Sequence, residues 1–212
     1  MLTLNQAIER LRRDLGDIDV ATAAWSTDQL QRHLEHAMAD ISLEIPVEQS
    51  TTLTTTADSR DVSLATLSRL IKVVSLEWPT GNYPPTYVRF SVWGTTATML
   101  VPAAPSAAEN VTVRWQQLHT IDPSGATLPE WAEELTIMGA AGYAAEELAA
   151  GTANTVNTGG QGAPQRYHQM AMEKLAAFHQ ALRAHGDKGG IRTHSMYTPA
   201  EPRPSQSTEP GP

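Results

Sequence analysis

Two histidines three residues apart, His33 and His36, have a spacing that could support a metal ion. On a helix they would share one face with Asp40, one turn further on, and imidazole and carboxylate groups are common metal ligands. The pattern offers no third strong ligand and no general base, and a solvated helix face explains the same residues. We therefore predict no metal and no cofactor here.

A second polar group, His119, Asp122 and Ser124, has the composition of a serine-nucleophile triad. All three residues fall in one short segment, which lacks a nucleophile elbow and an oxyanion scaffold. The alternative is a β-turn at Asp122-Pro-Ser-Gly125, because turns favour these residue types. The turn is the favoured interpretation.

Adjacent glutamates, Glu133-Glu134 and Glu146-Glu147, cannot work together as acid and base, because neighbouring helical residues diverge by about 100°. Solvated positions or contacts between subunits suit them better. The glycine-rich segment 158–162 could cradle an anion, yet it lacks both a Gly-Lys-Ser/Thr sequence and a preceding strand. A flexible connection between helices is favoured. No catalytic grouping remains, and we predict that the protein is not an enzyme.

The composition limits the possible partners. The 212 residues are 41% hydrophobic and only 18% charged, with a formal net charge of −8 and no cysteine. Disulfides and thiolate metal sites are thus excluded, and an acidic chain without a basic stripe is a poor candidate for binding nucleic acid. The N-terminus does not resemble a signal peptide, and no apolar run approaches membrane-spanning length. We expect a soluble protein made in the cytoplasm, with no membrane partner.

Helix signals occur at both ends of the chain. Thr3 with Gln6 and Ser26 with Gln29 are capping boxes that open two helices, which Gly16 and Pro46 should end. Thr127 with Glu130 resembles a third capping box, at the start of a helix that reaches residue 150. A fourth helix should begin at Pro164 and end at Gly186.

The third predicted helix is apolar on more than one side, which indicates burial on more than one side. Trp131, Leu135 and Met138 are expected to point into the core. Gly139, Gly142 and Ala145 would let another backbone approach closely, and we expect part of this surface to lie near a neighbouring subunit.

Between the helices, residues 48–119 are rich in β-branched residues and show strand-like alternation. No helix separates these strands, so antiparallel pairing is favoured. The predicted fold class is α+β: a four-helix bundle (residues 1–47 and 120–186), an antiparallel β insertion (48–119) and an extended tail (187–212). The tryptophans and tyrosines of the insertion could form a sugar-stacking surface, but the alternation favours core positions for several of them, with a few at edges. They are Trp78, Tyr83, Tyr87, Trp93 and Trp115.

The tail is rich in proline and polar residues and shows no apolar period, so we expect it to become ordered on a partner. Its predicted partner-binding residues are Ile191, Arg192, His194, Met196 and Tyr197.

The order of these parts and the amino-acid sequence of several segments resemble those of tailed-bacteriophage head–tail connector proteins. These proteins are also called adaptor or head-completion proteins. The similarity in the order of elements covers residues 1–186, and the similarity in amino-acid sequence covers residues 110–185. The segments that carry it are Val111-Thr-Val-Arg-Trp115, His119-Thr-Ile-Asp122, Thr127-Leu-Pro-Glu-Trp-Ala-Glu-Glu-Leu135 and Gly139-Ala-Ala-Gly-Tyr-Ala-Ala145.

The resemblance implies a structural virion protein that forms a homo-oligomeric ring, commonly of twelve copies, in the neck below the portal protein. The C-terminal extension would reach the portal, and the ring would carry the tail or the next neck protein. DNA would pass through the lumen without sequence-specific binding. The insertion is larger than in the smallest members of the family, which leaves open the direction it faces. The alternative is a carbohydrate- or ligand-binding β-sandwich module on a helical oligomerisation scaffold.

Overall fold

Two helices precede and two follow a set of β-strands in the computed structural model, which describes residues 2–19, 22–152 and 163–189. Every strand pair in this part of the chain is antiparallel. The fold is therefore α+β, as the sequence predicts. The helices are α1 (Leu4–Leu15), α2 (Thr27–Glu44), α3 (Glu130–Thr152) and α4 (Ala163–Gly189).

The capping boxes predicted for α1 and α2 are both confirmed. The Thr3 hydroxyl accepts a hydrogen bond from the Gln6 N–H, and the Gln6 side chain accepts one from the Thr3 N–H. Ser26 and Gln29 make the same pair of bonds in α2. Each box satisfies two backbone N–H groups near a helix start. Gly16 ends α1 with a φ of 70°, a left-handed conformation that glycine adopts without steric cost.

The capping box predicted at Thr127 is wrong. α3 begins at Glu130, and Thr127 belongs to the segment before it. The Thr127 hydroxyl accepts a hydrogen bond from the Thr120 N–H at 2.9 Å and lies 3.1 Å from Nδ1 of His119. The Thr127 hydroxyl oxygen, which an N-cap would need as an acceptor for the helix, is therefore bonded to the segment at residues 119–120.

Gly186 does not end α4, which continues to Gly189. Glycine at this position instead leaves room for the end of α2, because a Cβ there would lie 2.9 Å from Oε2 of Glu44. The first three residues of the predicted tail, 187–189, are thus helical. The remaining tail residues, 190–212, lie outside the described part of the chain.

α3 is the centre of the bundle core, as predicted. It packs against each of the other three helices, and Ala140, Ala141 and Ala144 are fully buried. Leu135 is buried too, but Trp131 is 44% exposed and not inward as predicted. Its position in the first turn places its ring flat against His185 of α4, with ring centroids 4.3 Å apart. No helix in the described residues is long and apolar enough to cross a membrane.

The strands between α2 and α3 form two sheets and a short hairpin. The strand order is β1-β7-β3-β4 in one sheet and β2-β6-β5 in the other, and β8 pairs with β9. We call β1–β7 the β-insert; the chain passes between its sheets at Arg89. The strands are β1 (Val47–Thr54), β2 (Asp61–Ser63), β3 (Leu70–Glu77), β4 (Tyr87–Val88), β5 (Phe90–Trp93), β6 (Thr96–Met99), β7 (Asn110–Gln117), β8 (Ile121–Asp122) and β9 (Gly125–Ala126).

The two sheets of the β-insert enclose a core of their own. Val113 and Trp115 of β7 point into it, and Val62 of β2 and Met99 of β6 meet them from the second sheet. The buried Trp115 indole donates a hydrogen bond to the Thr51 hydroxyl at 3.0 Å, so its polar atom is satisfied. This core shares no residue with the core of the helical bundle.

Candidate functional sites

The α2 face that carries the histidine motif packs against α3. Nε2 of His33 lies 2.5 Å from Oε2 of Glu147, and Nη2 of Arg32 lies 2.5 Å from the same oxygen. Burial lowers the pKa of His33, although its contact with Glu147 acts in the opposite direction. Burial would raise the pKa of Glu147, but the bonds from Arg32 and His33 outweigh it and hold that pKa below its usual range.

His36 and Asp40, the other two residues of the motif, both contact Tyr143 of α3. The His36 ring stacks on the Tyr143 ring with centroids 4.0 Å apart and planes 14° from parallel. The Tyr143 hydroxyl donates a hydrogen bond to Asp40. Burial, this hydrogen bond and the charges of Asp40 and Glu146 raise the pKa of Tyr143. The motif thus holds α2 against α3, and no three His, Cys, Asp or Glu residues in the described ranges could together hold a metal ion.

The predicted turn at Asp122-Pro-Ser-Gly125 is confirmed, because it joins β8 to β9. Oδ1 of Asp122 accepts hydrogen bonds from the backbone N–H groups of Ser124 at 2.7 Å and Gly125 at 3.1 Å. The bonds from Ser124, and then the one from Gly125, hold the pKa of Asp122 below its usual range. The carboxylate therefore serves the turn, while the His119 ring bonds elsewhere, so the structure does not assemble the triad.

His119 is buried where the helical bundle meets the β-insert. Its Nε2 lies 2.9 Å from the carbonyl oxygen of Ile45, which can only accept, so Nε2 carries a hydrogen and donates. Its Nδ1 lies 3.1 Å from the Thr127 hydroxyl, and its backbone N–H donates to the Ser42 hydroxyl at 2.8 Å. Burial lowers the pKa of His119, although the bonds to Ile45 and Thr127 oppose this shift. A neutral ring therefore suits this site.

A small pocket of about 90 Å³ lies beside His119. Its charged lining residues are Glu35 from α2 and Arg69 from the β-insert. Arg69 has a φ of 56°, and its guanidinium donates a hydrogen bond to the His119 carbonyl oxygen at 3.3 Å. The roles of Arg69 and Ser42 at this junction were not predicted from the sequence. The one available signal was the position of Ser42 next to the apolar stripe of α2. The full lining is Glu35, Met38, Ala39, Arg69, Leu118, His119, Thr120 and Ile121.

The glutamates at the start of α3 bind different partners within the chain. Glu133 is buried and not solvated, which excludes the first of the two predicted alternatives for it, and it accepts a hydrogen bond from the Leu2 N–H at 2.8 Å. Glu134 is exposed and pairs with Arg10 of α1 at 2.9 Å. Both contacts fix the N-terminal segment and α1 against α3.

Gly139, Gly142 and Ala145 are buried within the chain. A Cβ at Gly139 would lie 2.9 Å from the Phe178 ring, and one at Gly142 would lie 2.7 Å from Cγ of Leu175. The close approach that these glycines allow is therefore between α3 and α4. Contact with a neighbouring subunit at these residues stays a prediction, and it would require α4 to move.

Three of the five tryptophan and tyrosine side chains in the β-insert are exposed, although core positions were favoured for several of them. Tyr83 is 98%, Trp93 89% and Tyr87 51% exposed. Trp93 is the last residue of β5, at the turn into β6, while Tyr83 lies in the loop between β3 and β4. Alternation cannot reveal this exposure, but the adjacent Gly94 and the Gly81-Asn82 and Pro84-Pro85 pairs were a usable signal.

Two of the predicted features lie outside the described residues. The glycine-rich segment 158–162 is one of them. The other is the set of tail residues predicted to bind a partner: Ile191, Arg192, His194, Met196 and Tyr197.

Comparison with known proteins gives no family. No protein-family model matches the chain, and no curated protein sequence matches it. Among solved structures, a chain from the neck of an empty gene transfer agent particle, computed with C6 symmetry, is 17% identical, with 64% of this chain and 76% of that chain covered and a TM-score of 0.29. A chain from the virion of the native gene transfer agent particle is 17% identical, with 68% of this chain and 77% of that chain covered and a TM-score of 0.29.

A third similar chain comes from the neck of the native gene transfer agent particle, computed with C12 symmetry. It is 14% identical, with 79% of this chain and 91% of that chain covered and a TM-score of 0.29. A TM-score of 0.29 is too low for these likenesses to support a conclusion about this chain.

Proposed function

We propose that this chain is a structural, non-enzymatic connector of a tailed phage-like particle. It forms a ring in the neck, between the portal protein and the tail or the next neck protein, and DNA passes through the ring. The observation that carries the proposal is the place of the β-insert, between the second and third helices of a four-helix bundle. This is the order of parts on which the resemblance to head–tail connectors rests.

Exposed apolar side chains support the idea that partners cover this chain. Tyr83 and Trp93 stand out on the β-insert, while Leu43 of α2 is 68% and Met172 of α4 is 60% exposed. Exposed aromatic side chains are frequent anchors of protein interfaces. We propose that neighbouring subunits contact the exposed faces of α2 and α4 that carry Leu43 and Met172.

The charge of the chain suits a ring that DNA passes through. Its formal net charge is −8, and a ring of several copies multiplies this negative charge. The DNA backbone is negatively charged as well, so an acidic lumen repels it and does not hold it in place.

The C-terminal residues 190–212 complete the proposal. They would bind the portal or a sister subunit and become ordered there, with Ile191, Met196 and Tyr197 as apolar contacts and Arg192 and His194 as polar ones.

Electron microscopy of the purified chain, alone and mixed with the portal protein of its own particle, tests this function. We expect ring-shaped assemblies, at least on the portal. A chain truncated after Gly189 keeps all four helices, and it should fold normally but lose binding to the portal. A chain that stays monomeric in both samples, with no portal complex, contradicts the proposal.

A second function, carbohydrate binding by the β-insert, is favoured by the exposure of Tyr83 and Trp93. Exposed aromatic rings can stack on sugars as well as anchor proteins. Binding on a glycan array that is lost in Tyr83→Ala or Trp93→Ala would support it. Rings on the portal without any glycan binding would favour the connector.

A further inference from the structure

We propose that the β-insert pivots as a unit on the helical bundle, and that His119 is the latch that fixes its orientation. The chain crosses between the two parts twice. The first crossing, Ile45-Pro46, joins α2 to β1, and the second, residues 118–120, joins β7 to β8. The proposal concerns a single chain and does not depend on the connector function.

The way the chain packs makes such a pivot physically accessible. The bundle core and the β-insert core share no residue, and in the described residues helices pack mainly on helices and strands on strands. A rotation between the two parts would therefore expose little apolar surface, which is the main cost of separating packed elements. The pocket beside His119 adds space at the junction.

The latch connects both crossings and the segments that flank them. His119 lies in the second crossing, and its ring donates a hydrogen bond to Ile45 in the first. Its backbone N–H is bound by Ser42 near the end of α2, and its Nδ1 faces Thr127, shortly before α3. Arg69, on the β-insert side, binds the His119 carbonyl oxygen. One residue of the second crossing thus bonds to α2, to the first crossing, to the β-insert and to the segment before α3.

Acid should loosen this latch, because protonation places a charge on a buried ring. The neutral ring donates through Nε2 and accepts from the Thr127 hydroxyl at Nδ1. Protonation places a second hydrogen on Nδ1, so the Thr127 hydroxyl must turn its own hydrogen to the Thr120 carbonyl oxygen, 3.5 Å away. The charged groups around the junction are Arg69 from the β-insert and Glu35 from α2, which both line the pocket; the contacts from Ser42 and Thr127 are uncharged hydroxyls.

Distances between pairs of spin labels test the pivot, and the absence of native cysteine makes the labelling specific. One pair spans the junction, at exposed Ser50 in β1 and exposed Gln180 in α4. The control pair lies within the β-insert, at Ser50 and exposed Ser91 in β5. Both pairs are measured by pulsed electron paramagnetic resonance at a series of pH values from neutral down to about pH 5.

At neutral pH we expect a narrow junction distance in the otherwise native chain and a broad one in His119→Ala, with the control pair unchanged. His119→Gln can still donate to Ile45 but cannot take up a proton, so its junction distance should stay narrower than in His119→Ala and should not change with pH. Without the His119→Gln substitution, the junction distance should broaden as the pH falls.

Two results would overturn the proposal. One is a folded His119→Ala chain whose junction distance is as narrow as before. The other is broadening of the control pair together with the junction pair, because the β-insert would then be unfolding and not pivoting. If His119→Ala does not fold, Thr127→Val removes the bond between Nδ1 of His119 and the Thr127 hydroxyl with less disturbance. The same two results, obtained with this variant, would overturn the proposal.

Discussion

Gly142 of α3 lies so close to Leu175 of α4 that a Cβ at residue 142 would be 2.7 Å from Cγ of Leu175 and 3.3 Å from its backbone nitrogen. Glycine usually weakens a helix, by about 1 kcal/mol relative to alanine. Here its lack of a side chain sets the separation between the two helices, and the residue at this position is fixed by packing.

Gly142→Ala should therefore destabilise the protein, by about 1–3 kcal/mol, because overpacking a tight interface costs that much. Gly151→Ala is the matched control in the same helix, since a Cβ there would meet nothing within 4 Å. The control should be neutral or more stable, by up to about 1 kcal/mol. Denaturant unfolding of both variants measures the difference, and equal effects would show that α4 yields easily at this point.

The exposed and buried tryptophans of the β-insert should differ sharply in how much each stabilises the protein. Trp115→Ala is expected to cost about 3–5 kcal/mol, because it empties the core of the β-insert and removes the bond to Thr51. Trp93→Ala should change stability by less than about 0.5 kcal/mol, since the side chain is 89% exposed. Denaturant unfolding checks both values. A large loss in Trp93→Ala would mean that this side chain packs within the chain.

Under the proposed connector function Trp93 anchors a neighbouring particle protein, so Trp93→Ala should also weaken binding to that protein. A pull-down or calorimetric titration with the portal and with the adjoining neck or tail protein measures this. If neither partner's affinity changes while the variant stays fully folded, Trp93 is not part of either interface.

The stability of the protein should fall as the pH falls below about 6.5. His33 and His119 have a lowered pKa in the folded state, so they contribute stability above the unfolded pKa, which is lost as pH falls towards the folded one. Each contributes a slope of up to about 1.4 kcal/mol per pH unit in this range. Removing the titration with His119→Gln should reduce the slope of unfolding free energy against pH. His168→Gln, on an exposed part of α4, is the control and should leave the slope unchanged.

Ser42→Ala should cost about 1–3 kcal/mol, because it leaves the buried His119 N–H without its partner. Ser42 is fully buried, and its hydroxyl also donates to the Met38 carbonyl oxygen at 2.6 Å. Ser91→Ala in the exposed part of β5 should change stability by less than about 0.5 kcal/mol. Thermal or denaturant unfolding compares the two, and a neutral Ser42→Ala would show that water or another group replaces the hydroxyl.

Features that depend on residues close to one another in the chain could be predicted from the sequence. The capping boxes at Thr3 and Ser26 and the turn at Asp122 rest on hydrogen bonds spanning two or three residues, so their residue types predict them. The strand character of residues 48–119 and the central helix follow from apolar patterns that lie within single elements. The α+β fold class followed from their order alone.

The role of a residue whose partner lies far along the chain depends on tertiary packing and could not be predicted from the sequence. Thr127 carries a capping pattern but bonds to the segment around His119, and Gly186 carries a stop signal but makes room for Glu44. The histidines of α2 have the spacing of metal ligands. They instead contact Glu147 and Tyr143, which lie more than one hundred positions away in the chain. In each case a local pattern offers several uses for one side chain, and the choice depends on which distant atom folding brings within bonding distance.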